Sequence, residues 1–353
     1  MEPVRLEAIH ALAEFEALAQ GRMGGPAFDY VSGGSWDEIT LAENVAAWRE
    51  FRFLYRVLTD IRTIDVRGSF LGRRSALPVA IAPMAAQGMA HPDGEIPVVR
   101  AAAAAGIPFC LATTSSQPME AVADAAPEAE RWFQLYLVRD LGYSRTLVER
   151  AAAAGYRAIV LTVDLPVLGY RERDRRSGFE LPAMPHVDAA GDRDGLPYGG
   201  LEKQHSVGLT WADLDEVRTW SNLPLVVKGM VAPDDARRAA ELGVAAIVVS
   251  NHGARQLDRS IATADALEAV VEAVNGRTEV WVDGGVRRGL DVLIAIALGA
   301  SGVLVGRPIF WALAAGGEAG VGRALAILRE ELELGLALLG CASITDVRRS
   351  HLA

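Results

Sequence analysis

Leu77-Pro78-Val79-Ala80-Ile81-Ala82-Pro83 is the stretch from which the fold is read. It is a short, unbroken apolar run that leads into the small residues Met84-Ala85. A strand with one wet face alternates apolar and polar residues. This run does not alternate, which suits a strand buried on both faces of a parallel sheet. Seven similar runs follow: 107–113 (IPFCLAT), 131–137 (RWFQLYL), 158–163 (AIVLTV), 224–228 (PLVVK), 246–250 (AIVVS), 279–283 (EVWVD) and 302–306 (GVLVG). Between most of them lie helix-length segments that end in glycine, at Gly106, Gly155, Gly243 and Gly299. Glycine there is a helix C-cap signal.

Eight strand–helix units in succession predict an α/β fold of the TIM (β/α)8 barrel class. A doubly wound open sheet is the rival. It needs fewer strands and usually a G-x-G-x-x-G turn after the first, whereas here the first run is followed by Met84-Ala85-Ala86-Gln87-Gly88. The expected organisation is one domain over 1–353. Residues 1–76 form an N-terminal helical cap, 77–325 the barrel, and 326–353 a C-terminal helical segment. An excursion after the fourth strand spans 164–222, and its stretch 185–208 is rich in Gly, Asp and Pro. A loop of that length in a barrel usually lies over the active site. A plain surface insertion would have the same composition.

Bulk composition narrows the partners. Of 353 residues, 51% are hydrophobic and 23% charged, as in an ordinary globular chain with a large core. The formal charge of -10 argues against non-specific binding to nucleic acid or to an anionic membrane. An anionic substrate then needs a locally basic pocket. Four glutamates among the first twenty residues (Glu2, Glu7, Glu14, Glu16) read as an amphipathic helix, not a secretory leader. No apolar run approaches the roughly 20 residues of a membrane span. Cys110 and Cys341 lie in apolar stretches and read as buried thiols of a reducing compartment, so a cytoplasmic location is expected.

Barrel enzymes carry their chemistry at the C-terminal ends of the strands. Here every run passes from apolar into polar or small residues. After the seventh and eighth come Asp283-Gly284-Gly285-Val286-Arg287-Arg288-Gly289 and Gly306-Arg307-Pro308. Glycines for close backbone approach, beside Arg287 and Arg307, suggest a phosphate site there. Solvated arginines on a surface turn are the bland alternative. Lys228 closes the fifth run and admits three readings: a Schiff-base nucleophile, a counter-charge to a cofactor, or a partner of a carboxylate. His252 follows the sixth run, with Arg255 three residues on and Asp164 at the end of the fourth. A base of this kind needs a carboxylate to stabilise its protonated form, and an arginine suits a substrate carboxylate. His10, His91, His186, His205 and His351 have no metal-ligand spacing, so no metal is expected.

The motifs SNHGARQLD (250–258), VDGGVRRGLDV (282–292) and LGASGVLVGRP (298–308) resemble the FMN-dependent 2-hydroxy-acid oxidase and dehydrogenase family, the glycolate and lactate oxidases. FDYVSGGSWDEITLAEN (28–44), IAPMAAQGMAHPDGE (81–95), WFQLYLVRD (132–140) and LTVDLP (161–166) extend the likeness over nearly the whole chain. The resemblance implies oxidation of an (S)-2-hydroxy acid to the 2-oxo acid, with FMN reoxidised by O2 to H2O2. It implies His252 as base, Asp164 as its partner, and Tyr136 on the substrate hydroxyl. Arg255 and Tyr30 would hold the substrate carboxylate, with Arg171 close by. Lys228 would stabilise the reduced flavin, which disfavours the Schiff-base reading. The FMN phosphate would lie on Gly285, Arg287, Gly306 and Arg307, with Asp283 on the ribityl chain. Gln134, Thr162, Ser250, Met84 and Ala85 would surround the ring system. A homo-oligomer, tetramer or octamer, is implied as well.

The chain departs from the family pattern in places. Thr114 stands where many members carry Trp near the substrate side chain, Ala112 where Ser is common, and Met84 where Thr is frequent. The Thr114 change implies a pocket for a substrate bulkier than glycolate. No haem domain precedes the barrel and the 164–222 excursion has no long apolar segment. Both favour an oxidase over a membrane-bound or cytochrome-coupled dehydrogenase. The alternatives are another electron acceptor, a monooxygenase that decarboxylates its product, a Lys228 Schiff-base aldolase or lyase, and a non-catalytic flavin-binding protein. Whether His252 takes the hydroxyl proton or the α-proton is open at this level.

Overall fold

The computed structural model describes residues 4–188 and 208–353. Eight short parallel strands close a barrel: β3 (Val79–Ile81), β4 (Phe109–Ala112), β5 (Arg131–Leu135), β6 (Ile159–Thr162), β7 (Leu225–Met230), β8 (Ala246–Val249), β9 (Glu279–Val282) and β10 (Gly302–Val305). Each pairs in register with its chain neighbours, and β10 returns to β3 through Val303↔Val79 and Val305↔Ile81. All eight apolar runs of the sequence are therefore strands. Each is shorter than its run at one or both ends or, for β7, displaced by a residue or two. The reason is that closure demands pairing only at the waist of the barrel. The polar residues beyond it splay into loops.

Helices alternate with the strands as expected. They include Ile96–Ala105, Met119–Ala125 and Leu141–Ala153. The last strand feeds a helix that runs from Arg307 to Leu339, straight through residue 325, where the sequence reading ended the barrel. Its one break is a kink at Gly316–Gly317, where the backbone leaves helical geometry. The terminal residues past Leu339 fold back on the N-terminal segment, pairing Leu352 with Phe53 and Ser343 with Asp65.

The cap is less helical than its composition suggested. After a 3-10 turn at Leu6–Ala8 it holds α-helices Glu14–Arg22, Gly25–Ser32 and Ile39–Ala47, so the first α-helix among the described residues begins well inside the glutamate-rich opening. It also holds an antiparallel hairpin, β1 (Gly68–Phe70) with β2 (Arg73–Ser75), which three-residue strands do not announce in a sequence. Phe70 of the hairpin packs edge-on against Trp132 and Trp281, which stack on each other with centroids 4.8 Å apart. These strand-borne indoles make an aromatic floor for the barrel interior.

The excursion after β6 contributes Glu172–Ser177 and Pro185–Asp188, both helical, before Trp211–Val217. Most of the Gly-, Asp- and Pro-rich stretch at 185–208, with His205, lies outside the described residues. Its near end is pinned by His186. The backbone N–H of Met119 donates to His186 Nε2 (3.0 Å), so Nδ1 carries the proton, 3.2 Å from Ser115 Oγ. Burial holds this imidazole down at about 4, so it is a neutral clasp between the excursion and the loop that carries Thr114. Cys110 and Cys341 are both buried and unpaired by disulfide. Among the described residues, no helix is long and apolar enough to cross a membrane.

Candidate active site

A cleft, partly open to solvent, lies at the C-terminal ends of the strands. The sequence-predicted residues converge here from every strand end. Met84 and Ala85 come from the loop after β3, Thr114 after β4, Gln134 and Tyr136 from β5 and its end, and Thr162 from β6. Lys228 comes from β7, His252 and Arg255 from the loop after β8, and Asp283, Gly285 and Arg287 from that after β9. Gly306 and Arg307 follow β10, while Tyr30 and Arg171 close the cleft from the cap and the excursion. Asp164 and Ser250 stand behind this lining and act on it through His252 and Lys228.

His252 is the centre of one half. Its Nδ1 lies 2.7 Å from Asp164 Oδ1, and its Nε2 lies 3.3 Å from the Tyr136 hydroxyl. The carboxylate therefore fixes the proton on Nδ1 and leaves the Nε2 lone pair toward the cleft. Burial lowers the His252 pKa against the opposing pull of Asp164, with Lys228 and Arg171 adding to the fall, so the imidazole rests neutral. Burial alone would raise Asp164. Contact with the His252 ring, which donates to it, and the nearby Lys228 ammonium outweigh it, and the carboxyl stays ionised. Burial, then the charge of Asp164, raises Tyr136, so its phenol keeps its proton. Asp164 reaches His252 because Gly229 offers no side chain: a Cβ there would meet Asp164 Cβ at 2.6 Å.

The backbone that presents His252 is unusual. His252, Gly253 and Ala254 all have positive φ (59°, 62° and 63°). This costs about 1–2 kcal/mol for each residue that bears a Cβ, so neighbouring contacts must hold it. Ser250 Oγ accepts the His252 N–H (3.2 Å), and Asn251 Oδ1 accepts the Ala254 N–H (3.2 Å).

Arg255 donates to the carbonyl oxygens of Tyr30 and Gly33, and its guanidinium lies 4.6 Å from the Tyr30 ring centroid. No carboxylate among the described residues pairs with it, so the charge remains for an anion in the cleft.

Lys228 is pinned. Its Nζ lies 3.0 Å from Asp283 Oδ2 and donates to Ser250 Oγ at 2.8 Å. Burial would lower its pKa, but Asp283 and Asp164 more than offset that, and the ammonium stays charged. A Schiff-base nucleophile must be a neutral amine, so the geometry removes that reading.

The far half of the cleft is cationic. Arg287 donates to the Val286 carbonyl and stacks over Trp311 at 5.1 Å. Arg307 donates to the carbonyls of Val31, Gly33 and Gly253. Burial pushes Arg307 well below the ordinary arginine range, with Arg255 and Arg287 adding repulsion, and burial lowers Arg287 too. Neither guanidinium has a carboxylate partner among the described residues. Two crowded, partly buried cations beside a helix N-terminus call for an anion such as phosphate. Gly285 makes the turn beneath them: φ is 76°, and a Cβ would sit 1.7 Å from the Asn44 carbonyl oxygen.

Between the halves, buried polar atoms lack partners: Gln134 Nε2, Thr162 Oγ1 and Asp283 Oδ1. Gln134 is oriented by the Thr113 N–H on its Oε1 (3.2 Å), which turns Nε2 into the cleft. Such orphans are expensive unless a ligand satisfies them. A flavin with carbonyl and N–H edges, carrying a hydroxylated chain to a phosphate, supplies matching groups in the right order. The residues present fit FMN. The sequence reading missed the apolar wall of Leu165, Leu168 and Leu181 from the excursion, Val31 from the cap and Phe310 from the helix after the last strand, which comes together only in the fold.

Fold and site together define a (β/α)8-barrel enzyme built for a phosphorylated cofactor and a carboxylate-bearing substrate. The family described as FMN-dependent dehydrogenase matches residues 19–353. The chain belongs to this family, the FMN-dependent 2-hydroxy-acid oxidases and dehydrogenases, and FMN is its cofactor. It is 47% identical to an L-lactate oxidase of Nostoc sp. (97% of each chain covered) and 44% identical to the glycolate oxidase of Spinacia oleracea (96% and 94%). A solved structure of mandelate oxidase with (S)-4-hydroxymandelic acid superposes with a TM-score of 0.91, at 42% identity over 98% of both chains.

Replacing Arg287 or Arg307 by Met should weaken FMN about 10–100-fold, as expected for loss of a buried charge-assisted hydrogen bond of about 1.5–3 kcal/mol. Fluorescence titration of the apoprotein with FMN reads this directly. Unchanged affinity in both variants would put the phosphate elsewhere.

Proposed function

We propose that this enzyme oxidises an (S)-2-hydroxy acid with an apolar side chain larger than that of glycolate, forming the 2-oxo acid, with O2 as final acceptor and H2O2 as co-product. The observation that carries the reading is the neutral His252 Nε2, backed by Asp164 and facing the cleft 3.3 Å from the Tyr136 hydroxyl. Bound FMN supplies the two-electron acceptor that is afterwards reoxidised by O2.

The residues then divide the work. Arg255 and Tyr30, with Arg171, anchor the substrate carboxylate and orient the carbon that loses hydrogen. Tyr136, kept protonated, donates to the substrate hydroxyl oxygen. His252 takes one substrate proton at Nε2, and the imidazolium formed is stabilised by Asp164 through Nδ1. Lys228, a fixed cation held by Asp283, favours the negative charge that develops on the acceptor. The second hydrogen leaves with the electron pair, so the loss of two electrons and two protons balances.

Side-chain selection rests on Thr114, Leu165, Leu168 and Leu181, which line the cleft with small or aliphatic groups. Support for size comes from the relatives: one acts on L-lactate, and mandelate oxidase accommodates (S)-4-hydroxymandelic acid. Assembly as a homo-oligomer belongs to the same proposal and is checked by light scattering.

Anaerobic mixing of the yellow holoenzyme with L-lactate, (S)-mandelate and glycolate should bleach the flavin, fastest with one of the first two. His252→Asn should keep its flavin spectrum and be reduced about 10²–10⁴-fold more slowly. Rapid bleaching of this variant would overturn the base assignment. The pH dependence has a fixed sign. His252 works only when neutral, and its folded pKa lies below 6.5. As pH falls through that lowered value, Nε2 becomes protonated and kcat/KM drops; above it kcat/KM is level. An acid limb centred above 6.5 would contradict this. Thr114→Trp should cut kcat/KM for (S)-mandelate by about tenfold or more relative to glycolate, since a refilled apolar pocket discriminates by roughly 1–3 kcal/mol. An unchanged ratio would place the side chain elsewhere.

A further inference from the structure

We infer that Asn44, in the N-terminal cap and about two hundred residues distant in sequence, is a positioning residue for the base. Its reciprocal amide pair with Asn251 holds the left-handed run 252–254 that aims His252. This rests on the reading of His252 as the base.

Both asparagines are buried, at 2% and 6% exposure. Asn44 Nδ2 donates to Asn251 Oδ1 and Asn251 Nδ2 donates to Asn44 Oδ1, each at 2.9 Å. Most of the remaining capacity is also used. Asn44 Oδ1 accepts the Thr263 N–H (3.2 Å), Asn251 Nδ2 donates to the Ile261 carbonyl (3.1 Å), and Asn251 Oδ1 accepts the Ala254 N–H (3.2 Å). Flipping either amide would set N–H against N–H and oxygen against oxygen, so the pair has one arrangement. A buried network in which every amide nitrogen and oxygen has a partner specifies geometry. What it specifies is the carbonyl-side end of three consecutive positive-φ residues, two of which bear a Cβ. Ser250 holds only the other end of that run.

Asn44 also reaches the opposite half of the cleft. Its carbonyl oxygen fills the space in which a Gly285 Cβ would stand, and Trp48 Nε1, one turn on, donates to the Gly284 carbonyl at 2.8 Å. One stretch of the cap therefore contacts both the loop of the base and the turn beneath the phosphate site. Arg255, by contrast, has its own ties to the Tyr30 and Gly33 carbonyls. Loosening the amide pair should misplace the base more than the carboxylate anchor.

The test uses the holoenzyme with L-lactate or (S)-mandelate, whichever reduces the wild type faster. For Asn44→Ala we expect flavin reduction at saturating substrate to slow about 10–100-fold, as a misplacement near 1 Å does. KM and the FMN dissociation constant should move by less than about threefold, and reduction by dithionite should be unchanged. Asn44→Ala/Asn251→Ala should be no slower than the slower single variant, because residues acting as one unit are not additive. Asn44→Asp, of the same size, sets a carboxylate oxygen against Asn251 Oδ1 and should show the same pattern at least as strongly. Wild-type reduction rates, additive losses, or loss of rate only together with flavin or fold in both Asn44 variants would overturn the proposal. The two readings fail separately. Fast reduction of His252→Asn removes the base and the proposal with it. An inert His252→Asn beside a wild-type Asn44→Ala removes the positioning role alone.

Discussion

Closure of eight parallel strands is the constraint on which the rest depends. Parallel strands that return to the first must all end at one rim. Every loop that follows a strand is therefore delivered to the same mouth, whatever its distance in sequence. Asp164, Lys228 and His252 come from three neighbouring strands, and register alone brings them together: Thr162 lies opposite Lys228, and Lys228 opposite Val248. The register shift between Lys228 and Met230, at Gly229, is the local adjustment that lets Asp164 fit behind the base.

The same closure gathers charge. A chain with a formal charge of -10 concentrates Arg255, Arg287 and Arg307 around one cleft, with no carboxylate paired to them among the described residues. Burying cations without carboxylates opposes folding unless anions arrive. On the proposed function two would arrive, a phosphate at one end and a substrate carboxylate at the other. FMN binding would then offset that cost and couple stability to cofactor occupancy. The acidic remainder of the surface matters less, because it is screened and distant.

Much of this was legible in the sequence, for identifiable reasons. Strands buried on both faces have no alternation to obscure them, so the runs at 77–83 and 246–250 announced themselves, and the polar residues at their ends were already the site. The less legible parts depend on tertiary contact. Phe70 becomes meaningful only when Trp132 and Trp281 face it from two strands. The three-residue strand before it carries no periodicity to detect. The kink at Gly316–Gly317 lies within an alanine-rich stretch that reads as one helix or two. Asn44 reads as an ordinary polar residue on an amphipathic helix until Asn251 is placed against it. Leu165, Leu168 and Leu181 are apolar residues in a loop, without pattern, and become a wall only because the excursion folds over the cleft.

The two ionisable groups nearest the reaction illustrate how environment assigns roles. His252 and Lys228 are both buried cationic residues within reach of carboxylates, yet they end in opposite states. Burial acts alike on each, against the charged form. Lys228 has Asp283 to itself and borrows from Asp164, and this outweighs burial. His252 has Asp164 too, but Lys228 and Arg171 oppose its protonation, and its intrinsic affinity for a proton is far lower. The ammonium is thus a permanent charge and the imidazole an empty acceptor. Exchanging those states would abolish the chemistry, since a protonated His252 has no lone pair to offer and a neutral Lys228 would hold no negative charge. In the proposed reaction Asp164 serves both: it supports the lysine at rest and would support the imidazolium once the substrate proton has moved.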